Sequence, residues 1–303
     1  MSRAVPEPES TYPDGIRHDW RRSLGHLPLL LLLLLEAACS TIPRNRGGYY
    51  EQDGPGRRPL AEVMSVPNAV PKPLPLSPIG NQPYTVFNKT YYPLKNAAGY
   101  HARGIASWYG RQFRGKFTSD GERYNMYAMT AAHRTLPLPS YARVTNLTNG
   151  RSVIVRINDR GPFLDNRLID LSYAAAAKLG MLRTGTALVE VDGIAPWDNP
   201  KPAQAMTTEA GADTGTPGTM TAAPTRPELY LQVGAFADRR HAEDLRRQLE
   251  RADFRQVCVQ PSYSRPTALF RVRIGPLPSV SDCDRLAQRI AAYGIHGAYA
   301  VVE

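Results

Sequence analysis

The sequence has few cysteines: only three occur in 303 residues. Neither Cys258 nor Cys283 has a cysteine or histidine nearby at the spacing of zinc ligands, so we expect no zinc site. In an oxidising compartment such an even pair can form a disulfide, and two buried thiols are the simpler alternative. The sequence leaves both states of the pair open.

The sequence also lacks an apolar run of roughly 20 residues, the length that a membrane-spanning helix needs. Its longest apolar run, Leu27–Leu35, is preceded by Arg21 and Arg22 and broken by Glu36. Basic residues, then leucines, then small residues are the pattern of an export signal. We therefore predict a leader over residues 1–39 and an exported protein.

Cys39 directly follows two alanines at the end of this leader. The arrangement resembles a bacterial lipoprotein box, which implies that Cys39 is lipidated and becomes the mature N-terminus. Ser40 fits sorting to the outer membrane, so the resemblance implies a lipoprotein that faces the periplasm. Glu36 departs from the box, which normally has an aliphatic residue there, and release as a soluble periplasmic protein is the alternative.

Two stretches have the composition of linkers. Residues 40–98 contain ten prolines and predict a Pro-rich tether, although their aromatic end near Tyr84 could pack as an extra strand. Residues 198–227 are rich in Ala, Thr and Pro and cannot form a core. These stretches delimit a middle domain, residues 99–197, and a last domain, residues 228–303.

The middle domain has the pattern of short strands separated by Gly, Asn and Pro. The predicted strands are Gly104–Tyr109, Tyr141–Thr145, Ser152–Ile157 and Ala187–Val191. For one helix, Ser172 can cap the N-terminus and Gly180 can close the C-terminus in the left-handed conformation. The pattern predicts a compact, mainly β barrel with one or two short helices.

The last domain repeats itself when shifted by 41 positions, so that Val233-Gly234 falls on Ile274-Gly275. Each half has the order strand, helix, strand, which predicts a ferredoxin-like α+β fold, βαββαβ. The predicted strands are Leu229–Ala235, Gln256–Gln260, Leu269–Ile274 and Ala298–Val302, and the helices are Arg239–Arg251 and Ser281–Ala292. We expect a four-stranded sheet with both helices on one face.

Strand alternation predicts which side chains the helix-free face of this sheet presents. Leu229, Leu231 and Val233 point towards the helices. We therefore expect the alternate side chains to face solvent, where they could bind a ligand: Tyr230, Gln232, Arg271 and Arg273.

The middle domain also carries polar segments that strands alone do not need: Asp120–Glu122, Ala131–His133, Asn158–Pro162 and Ile169–Ser172. Together with Gly104–Gly110, Leu136-Pro137 and Asn146–Gly150, they resemble, in order, the rare lipoprotein A family of septal-ring lytic transglycosylases, which have a double-psi β-barrel. The last domain resembles the sporulation-related repeat (SPOR) module through Leu231–Phe236 and Arg271–Pro276.

The resemblance implies an endolytic enzyme that cleaves MurNAc–GlcNAc bonds of peptide-free glycan strands during cell-wall remodelling at division sites. The sugar's own 6-hydroxyl attacks and leaves an anhydro-MurNAc end. A carboxylic acid must protonate the leaving oxygen and, as carboxylate, take the proton from that hydroxyl. The resemblance implies no metal or cofactor, a SPOR module that binds peptide-free glycan, and division proteins as further partners.

By the same resemblance Glu122, His133 and Asp159 match residues associated with activity in this barrel. Asp170 matches an aspartate that is the acid candidate in related barrels, and the sequence does not rank Asp159 against Asp170. Each residue also has a structural alternative: Asp159 in a turn, Asp170 at a helix start and His133 as a buried hydrogen-bonding group.

Two further features bear on the site. Trp108 and Tyr109 could stack on sugar faces or pack in the barrel core. The family pattern usually has Asn where this chain has Asp120, which adds a carboxylate beside Glu122.

The chain carries a formal net charge of +10, and the middle domain is its basic part, with 13 Lys/Arg against 7 Asp/Glu over residues 100–195. A basic surface suits an acidic glycan polymer and equally suits nucleic acid. The export leader argues against an RNA-binding sheet and predicts no nucleic-acid partner. A non-lytic glycan-binding scaffold with an expansin-like barrel remains the alternative to the enzyme.

Overall fold

The structure is a computed structural model that describes residues 54–164, 166–195, 226–262 and 269–303. The leader, Cys39 and most of the linker predicted over residues 198–227 lie outside these ranges. Within them, no helix is long and apolar enough to cross a membrane.

The segment before the barrel, which we expected to be a flexible tether, packs against the barrel over its described part. Helix α1, Leu60–Met64, buries Val63 in the barrel core. Strands β1, Tyr84–Val86, and β2, Lys89–Tyr91, pair as an antiparallel hairpin. Between these elements the backbone bonds to the barrel, as in Ser77 N to Leu138 O at 2.8 Å. Proline prevents regular structure here, but it does not prevent packing.

Six strands close the barrel in the order β3-β7-β4-β6-β5-β8. The β3–β7 and β4–β6 pairs are parallel, and the other four pairs are antiparallel. The expected mainly β, double-psi barrel is confirmed. Two strands that the alternation did not predict, β4 and β7, fall on the polar segments that carried the resemblance. The strands are β3 His101–Tyr109, β4 Thr130–His133, β5 Ser140–Asn146, β6 Ser152–Asp159, β7 Ile169–Ser172 and β8 Ala187–Ile194.

The predicted helix α2, Tyr173–Leu179, begins and ends as expected. Ser172 Oγ accepts a hydrogen bond from Ala175 N at 3.2 Å, and Gly180 closes the helix at φ 78°. Its alanines are small enough to lie against the barrel strands, and Ala174–Ala176 are fully buried there. Helix α2 thereby follows directly on β7 and fixes the end of that strand.

The last domain has the predicted βαββαβ order, and its antiparallel sheet runs β10-β11-β9-β12. Asp238 and Ser279 cap the helices by accepting hydrogen bonds from Arg240 N and Asp282 N. The α+β fold is confirmed. The elements are β9 Leu229–Phe236, α3 Arg239–Arg251, β10 Val257–Ser262, β11 Leu269–Leu277, α4 Val280–Ala292 and β12 Tyr299–Val302.

The expected solvent-facing side chains of this sheet require a correction. The pairing of Arg273 with Gln232 places both on one face, whereas Leu231 and Ile274 lie in the core, so the predicted alternation holds. However, Tyr230, Gln232 and Arg273 are only 7, 4 and 2% exposed. Arg273 hydrogen-bonds across the sheet to Gln232 and Gln260, and Tyr230 OH donates to Glu228, so these polar groups already have partners within the domain.

The two C-terminal cysteines are free thiols. Cys258 is paired with Arg273 and therefore lies on the helix-free face, whereas Cys283 is on α4 and fully buried in the core. Because the sheet lies between the two side chains, a disulfide cannot form in this fold. Of the two states that the sequence left open, the structure has the thiols.

Candidate active site

Four side-chain positions form a row across neighbouring barrel strands. Cα pairing places Ser107 on β3 beside Asp170 on β7, Asp170 beside Ala132 on β4, and Ala132 beside Asp159 on β6. We call these four residues the carboxylate row. Since neighbouring strands lie about 4.8 Å apart, the Cα atoms of the two aspartates are roughly 10 Å apart. The barrel topology therefore joins two aspartates that lie eleven residues apart in the sequence.

The carboxylate row lines a cavity of about 330 Å³. Ala132 lies between the two aspartates. Its side chain is a single methyl group, which leaves open space between the two carboxyl groups. The rest of the lining is mostly aromatic and apolar and includes Phe87, Trp108, Tyr109, Phe163 and Leu164. An apolar cavity with a few polar groups on one wall is typical of a small-molecule or oligosaccharide site.

Asp170 is half-buried in this wall, where its Oδ1 accepts a short hydrogen bond from Ser107 Oγ. Burial raises the pKa of Asp170 to about 6, because it disfavours the charged form more than Ser107, Arg167 and Arg134 favour it. A carboxyl group with a pKa near the working pH can both give and take a proton. The cavity therefore holds one group suited to acid–base catalysis.

Asp159 is held differently. Its Oδ1 accepts three hydrogen bonds, from Ser119 N at 2.9 Å, Ser119 Oγ at 2.7 Å and Arg160 N at 2.8 Å. No donor to Oδ2 is recorded among the described residues. The side chain is thus fixed through one oxygen, and the other oxygen remains for a ligand in the cavity.

Glu122 does not line the cavity. Its carboxylate binds the Arg156 guanidinium through both oxygens, at 2.6 and 2.5 Å, and accepts a bond from Asn158 Nδ2 at 3.2 Å. The hydrogen bonds with Arg156 lower the pKa of Glu122, whereas burial and the neighbouring Glu122 raise the pKa of Asp120. The ion pair between Glu122 and Arg156 holds the Thr118–Glu122 turn, and Ser119 in this turn donates to Asp159.

His133 is 3% exposed and also lies outside the cavity lining. The backbone N–H groups of Thr135 and Leu136 donate to Nδ1, so Nε2 carries the proton and donates to Tyr100 OH at 2.9 Å. Burial, with smaller contributions from Arg134 and Arg160, lowers the pKa of His133 to about 3. The ring is therefore neutral, and it stabilises the turn after β4.

Arg160 connects these parts, and it was not among the residues predicted for the site. Its backbone N–H donates to Asp159, while its guanidinium donates to the Leu136 carbonyl and, at 2.9 Å, to the Gly80 carbonyl. Sequence reasoning also missed Ser107 and Ser119. Ser107 lies within the Gly104–Gly110 motif, but its role depends on strand pairing that a single sequence does not show.

The sequence left open whether Trp108 and Tyr109 pack in the barrel core or contact a sugar, and their positions allow both. They are 5 and 9% exposed, and Tyr109 stacks on Tyr124 with ring centroids 4.2 Å apart. Both also line the cavity, so a bound sugar could contact their ring edges. Burial raises the pKa of Tyr109 well above its usual value, so this hydroxyl stays protonated.

On the helix-free sheet face, the four residues predicted to bind glycan form two groups. Arg273 donates hydrogen bonds to Gln260 and Glu303, and Tyr230 OH donates to Glu228 at 2.6 Å. Arg271 is half-exposed and has no recorded side-chain partner among the described residues. Arg271 is thus the member of the set most available to a ligand.

One group of side chains outside the cavity has the composition of a metal site. His101, Glu190 and Asp192 lie together on the outer face of β3 and β8, with their ligand atoms within 4.8 Å of one another. His101 Nδ1 is 2.7 Å from Asp192, and Arg103 donates to Glu190 at 2.7 Å. These contacts form an exposed network in which Asp192 is hydrogen-bonded to His101 and Glu190 is already paired with the Arg103 cation.

Comparison with known proteins gives the same division of the chain. Residues 101–191 match the family model described as lytic transglycolase, and residues 226–301 match that of the SPOR domain. The endolytic peptidoglycan transglycosylase RlpA of Pseudomonas aeruginosa is 41% identical over 86% of this chain and 91% of its own length. RlpA of Vibrio cholerae is 49% identical over 54% of this chain and 62% of its own. The crystal structure of the RlpA SPOR domain from P. aeruginosa is 33% identical, covers 24% of this chain and 96% of that chain, and has a TM-score of 0.23.

Proposed function

The chain belongs to the RlpA family of endolytic peptidoglycan transglycosylases, and from this premise we propose that the carboxylate row is its catalytic centre. The enzyme cleaves glycan strands of the cell wall and belongs to the machinery of wall remodelling at division. The observation that carries the proposal is the raised pKa of Asp170, about 6, in a cavity that also contains Asp159.

In the proposed reaction, protonated Asp170 donates its proton to the glycosidic oxygen between MurNAc and GlcNAc. The C1–O bond breaks, and positive charge develops at C1 of MurNAc. The Asp170 carboxylate then takes the proton from the 6-hydroxyl of the same sugar while that oxygen bonds to C1. The product ends in anhydro-MurNAc, Asp170 is protonated again, and no water is consumed.

Asp159 supports this reaction as the second carboxyl group. Asp159 lines the cavity, and among the described residues no donor is seen for its Oδ2, so this carboxyl group would stabilise the oxocarbenium-like centre. Glu122 and His133 are proposed to act through positioning, since neither lines the cavity. Glu122 and Arg156 hold the turn that supplies Ser119, and His133 holds the turn that Arg160 binds.

The SPOR module gives the chain a second contact with peptidoglycan, and family membership places the protein in the cell envelope. We further propose that the module prefers peptide-free strands and binds them through Arg271, and that division proteins are partners. Cys39 is proposed as the lipid anchor in the outer membrane. If Cys39→Ser still incorporates labelled fatty acid, or the wild type is released from membranes, the anchor proposal is wrong.

Product analysis tests the proposed function. The full chain is incubated with amidase-treated glycan strands, and the released fragments are analysed by mass spectrometry. Anhydro-MurNAc ends are expected, and they should be lost in Asp170→Asn and reduced in Asp159→Asn. Asp244→Asn, an exposed surface aspartate in the last domain, is the matched control. Reducing ends that contain added water would identify a hydrolase, and binding without any cleavage would identify a scaffold.

A further inference from the structure

Phe87 is a large apolar side chain with no role in the core. It lies at the tip of the β1–β2 hairpin, is 85% exposed, and yet lines the cavity that contains Asp159 and Asp170. A single exposed phenylalanine is common on protein surfaces and needs no explanation. Its position beside the carboxylate row is what distinguishes Phe87 from the exposed Ile79 and Tyr92 on the same segment, which do not line this cavity.

The backbone at Phe87 is unusual for this residue type. Phe87 has φ 49° and Asn88 has φ 60°, the pair of positive values that a two-residue type I′ hairpin turn requires. Asn and Gly adopt this conformation readily, whereas a bulky side chain there is a steric outlier. Asn88 follows the rule and Phe87 does not. Since phenylalanine serves neither the turn nor the core, its conformation points to a function for the exposed ring.

The hairpin is firmly fixed beside the Arg160–Pro162 turn, which follows β6. Tyr84 OH donates to the Arg134 carbonyl at 2.8 Å, and the Tyr84 ring stacks on Tyr91 with centroids 5.2 Å apart. Phe163, which follows the Arg160–Pro162 turn, packs its edge against Tyr84 at 6.1 Å and lies 5.9 Å from Tyr91. Because Arg160 N donates to Asp159, the same loop sets the positions of the hairpin and of the carboxylate.

We propose that Phe87, with Phe163 and Leu164, forms an apolar platform that binds one pyranose ring of the glycan strand next to Asp159. The proposal rests on the proposed function and specifies where its substrate lies. Both faces of a pyranose ring carry C–H groups, which contact an aromatic ring favourably when water is displaced. All three side chains line the cavity, and Leu164 is 58% exposed at the same mouth. Phe87 is thus a positioning residue for the sugar, and the strained turn holds it over the cavity.

The test replaces Phe87 in the full chain by Asn and by Trp. Phe87→Asn supplies a residue that the turn prefers, so the melting temperature should stay the same or rise. With peptide-free glycan strands, its kcat/KM should fall about tenfold, mainly through KM, which corresponds to about 1.4 kcal/mol or roughly 50 Å² of apolar surface removed from water. Phe87→Trp should retain activity. Tyr92→Asn, on an exposed aromatic of the same segment, should change neither parameter.

Phe87→Trp also supplies a probe that does not depend on catalysis, since glycan bound on the platform should change the emission of the new tryptophan beyond the change seen in the wild type. If the wild type cleaves, and Phe87→Asn cleaves with unchanged kcat and KM, the platform is overturned while the proposed function stands. If the wild type does not cleave, the proposed function fails. The platform is then supported only if glycan changes the emission of Phe87→Trp, and it is overturned if the emission stays the same. A loss of activity accompanied by a lower melting temperature in Phe87→Asn would mean that Phe87 is structural.

Discussion

Polar side chains occupy the middle of a sheet surface in both domains, with opposite results. In the barrel, Asp159 has one oxygen without a donor within the described part of the chain, and burial raises the pKa of Asp170 to about 6. In the SPOR sheet, Arg273 is 2% exposed and bonds to Gln232, Gln260 and Glu303. The barrel surface thus keeps carboxyl groups that can still bind or react with a ligand. On the SPOR sheet, the polar side chains are hydrogen-bonded to one another.

The difference follows from the residue beside each charged group. Ala132 separates the two aspartates of the carboxylate row and cannot hydrogen-bond with its side chain, so the cavity between them stays open. In the SPOR sheet, Arg273 lies beside Gln232 and Cys258, and its long side chain reaches past Cys258 to hydrogen-bond to Gln260. A buried polar group that stays unsatisfied costs free energy, and such groups are retained where a function requires them. The same kind of surface thus gives the proposed active site in one domain and a structural network in the other.

The largest effect is expected at Asp170. Asp170→Asn removes the proposed proton donor, and turnover measured by anhydro-end release should fall by a factor of roughly 10² to 10⁴. The fold should not suffer, because the amide occupies the same space and no longer carries a charge. A variant that keeps more than a tenth of the wild-type turnover would show that another group is the acid.

The same variant should be more stable than the wild type at pH 8. The unfolded chain loses the Asp170 proton near pH 3.9 and the folded chain near 6, so the free energy of unfolding falls as pH rises from about 4 to about 6, by up to about 3 kcal/mol. Asn does not ionise and avoids this loss. Thermal unfolding should show a gain at pH 8 and no difference below pH 4. A lower melting temperature at pH 8 would contradict the burial of the charged group.

In the SPOR sheet, stability and binding should separate. Arg273→Gln removes the hydrogen bonds to Gln260 and Glu303 and leaves the buried Gln232 without this donor, which should cost about 1 to 3 kcal/mol of unfolding free energy. Arg271→Gln should leave stability unchanged and weaken retention on amidase-treated sacculi, since Arg271 is half-exposed. Thermal unfolding and sacculus pull-down on both variants measure the split. Loss of glycan retention in Arg273→Gln without loss of stability would reverse the assignment.

A smaller effect is expected at Glu122. Glu122→Gln breaks the bidentate pair with Arg156 and loosens the turn that presents Ser119 to Asp159, so kcat should fall about tenfold, as expected when a positioning contact worth about 1.4 kcal/mol is lost. Arg156→Gln should give a similar loss, and the double variant little more, because both act through one contact. A loss as deep as that of Asp170→Asn would instead place Glu122 in proton transfer.

The smallest effect is expected at Asp120. Its Oδ1 accepts bonds from Thr118 Oγ1 and Glu122 N, both at 3.3 Å, and the amide oxygen of Asn can accept them equally. Asp120→Asn also removes repulsion of Glu122 and loses the attraction of Arg156, so stability and turnover should change by less than about 0.5 kcal/mol. Urea unfolding and the anhydro-end assay check both quantities. A larger change would show that Asp120 has a role that the family's usual Asn does not fill.

The sequence predicted the fold where local signals and tertiary structure agree. Helix α2 has its expected cap at Ser172 and its stop at Gly180, and α3 has its expected bounds, Arg239–Arg251. Strands β4 and β7 were missed, because they are only four residues long and are buried among other strands, so they lack the polar alternation of a half-exposed strand.

The candidate site was predictable in its residue types but not in its arrangement. Asp159 and Asp170 could not be ranked, because the burial of Asp170 and the two hydrogen bonds from Ser119 to Asp159 arise from contacts between distant segments. Composition misled over residues 54–83, where prolines suggested a tether, although helix α1 and the segment after it pack against the barrel. The aromatic end near Tyr84, which the sequence left open as an extra strand, forms the hairpin that carries Phe87 to the cavity. Strand alternation predicted the correct face of the sheet for Arg273, but it wrongly predicted an exposed side chain. Alternation gives the direction of a side chain and carries no information on its contacts with neighbouring strands.

The pH dependence of kcat/KM on peptide-free glycan strands tests the central claim most directly. With Asp170 as proton donor, activity should decline as pH rises above about 6, since the reactive form is the protonated acid. Ser107→Ala should move this decline to higher pH, because the Ser107 hydrogen bond lowers the pKa of Asp170. His133, with its pKa lowered to about 3, should add no step in this range. A profile that is flat from pH 5 to 8, or a decline that Ser107→Ala does not move, would contradict the assignment of Asp170.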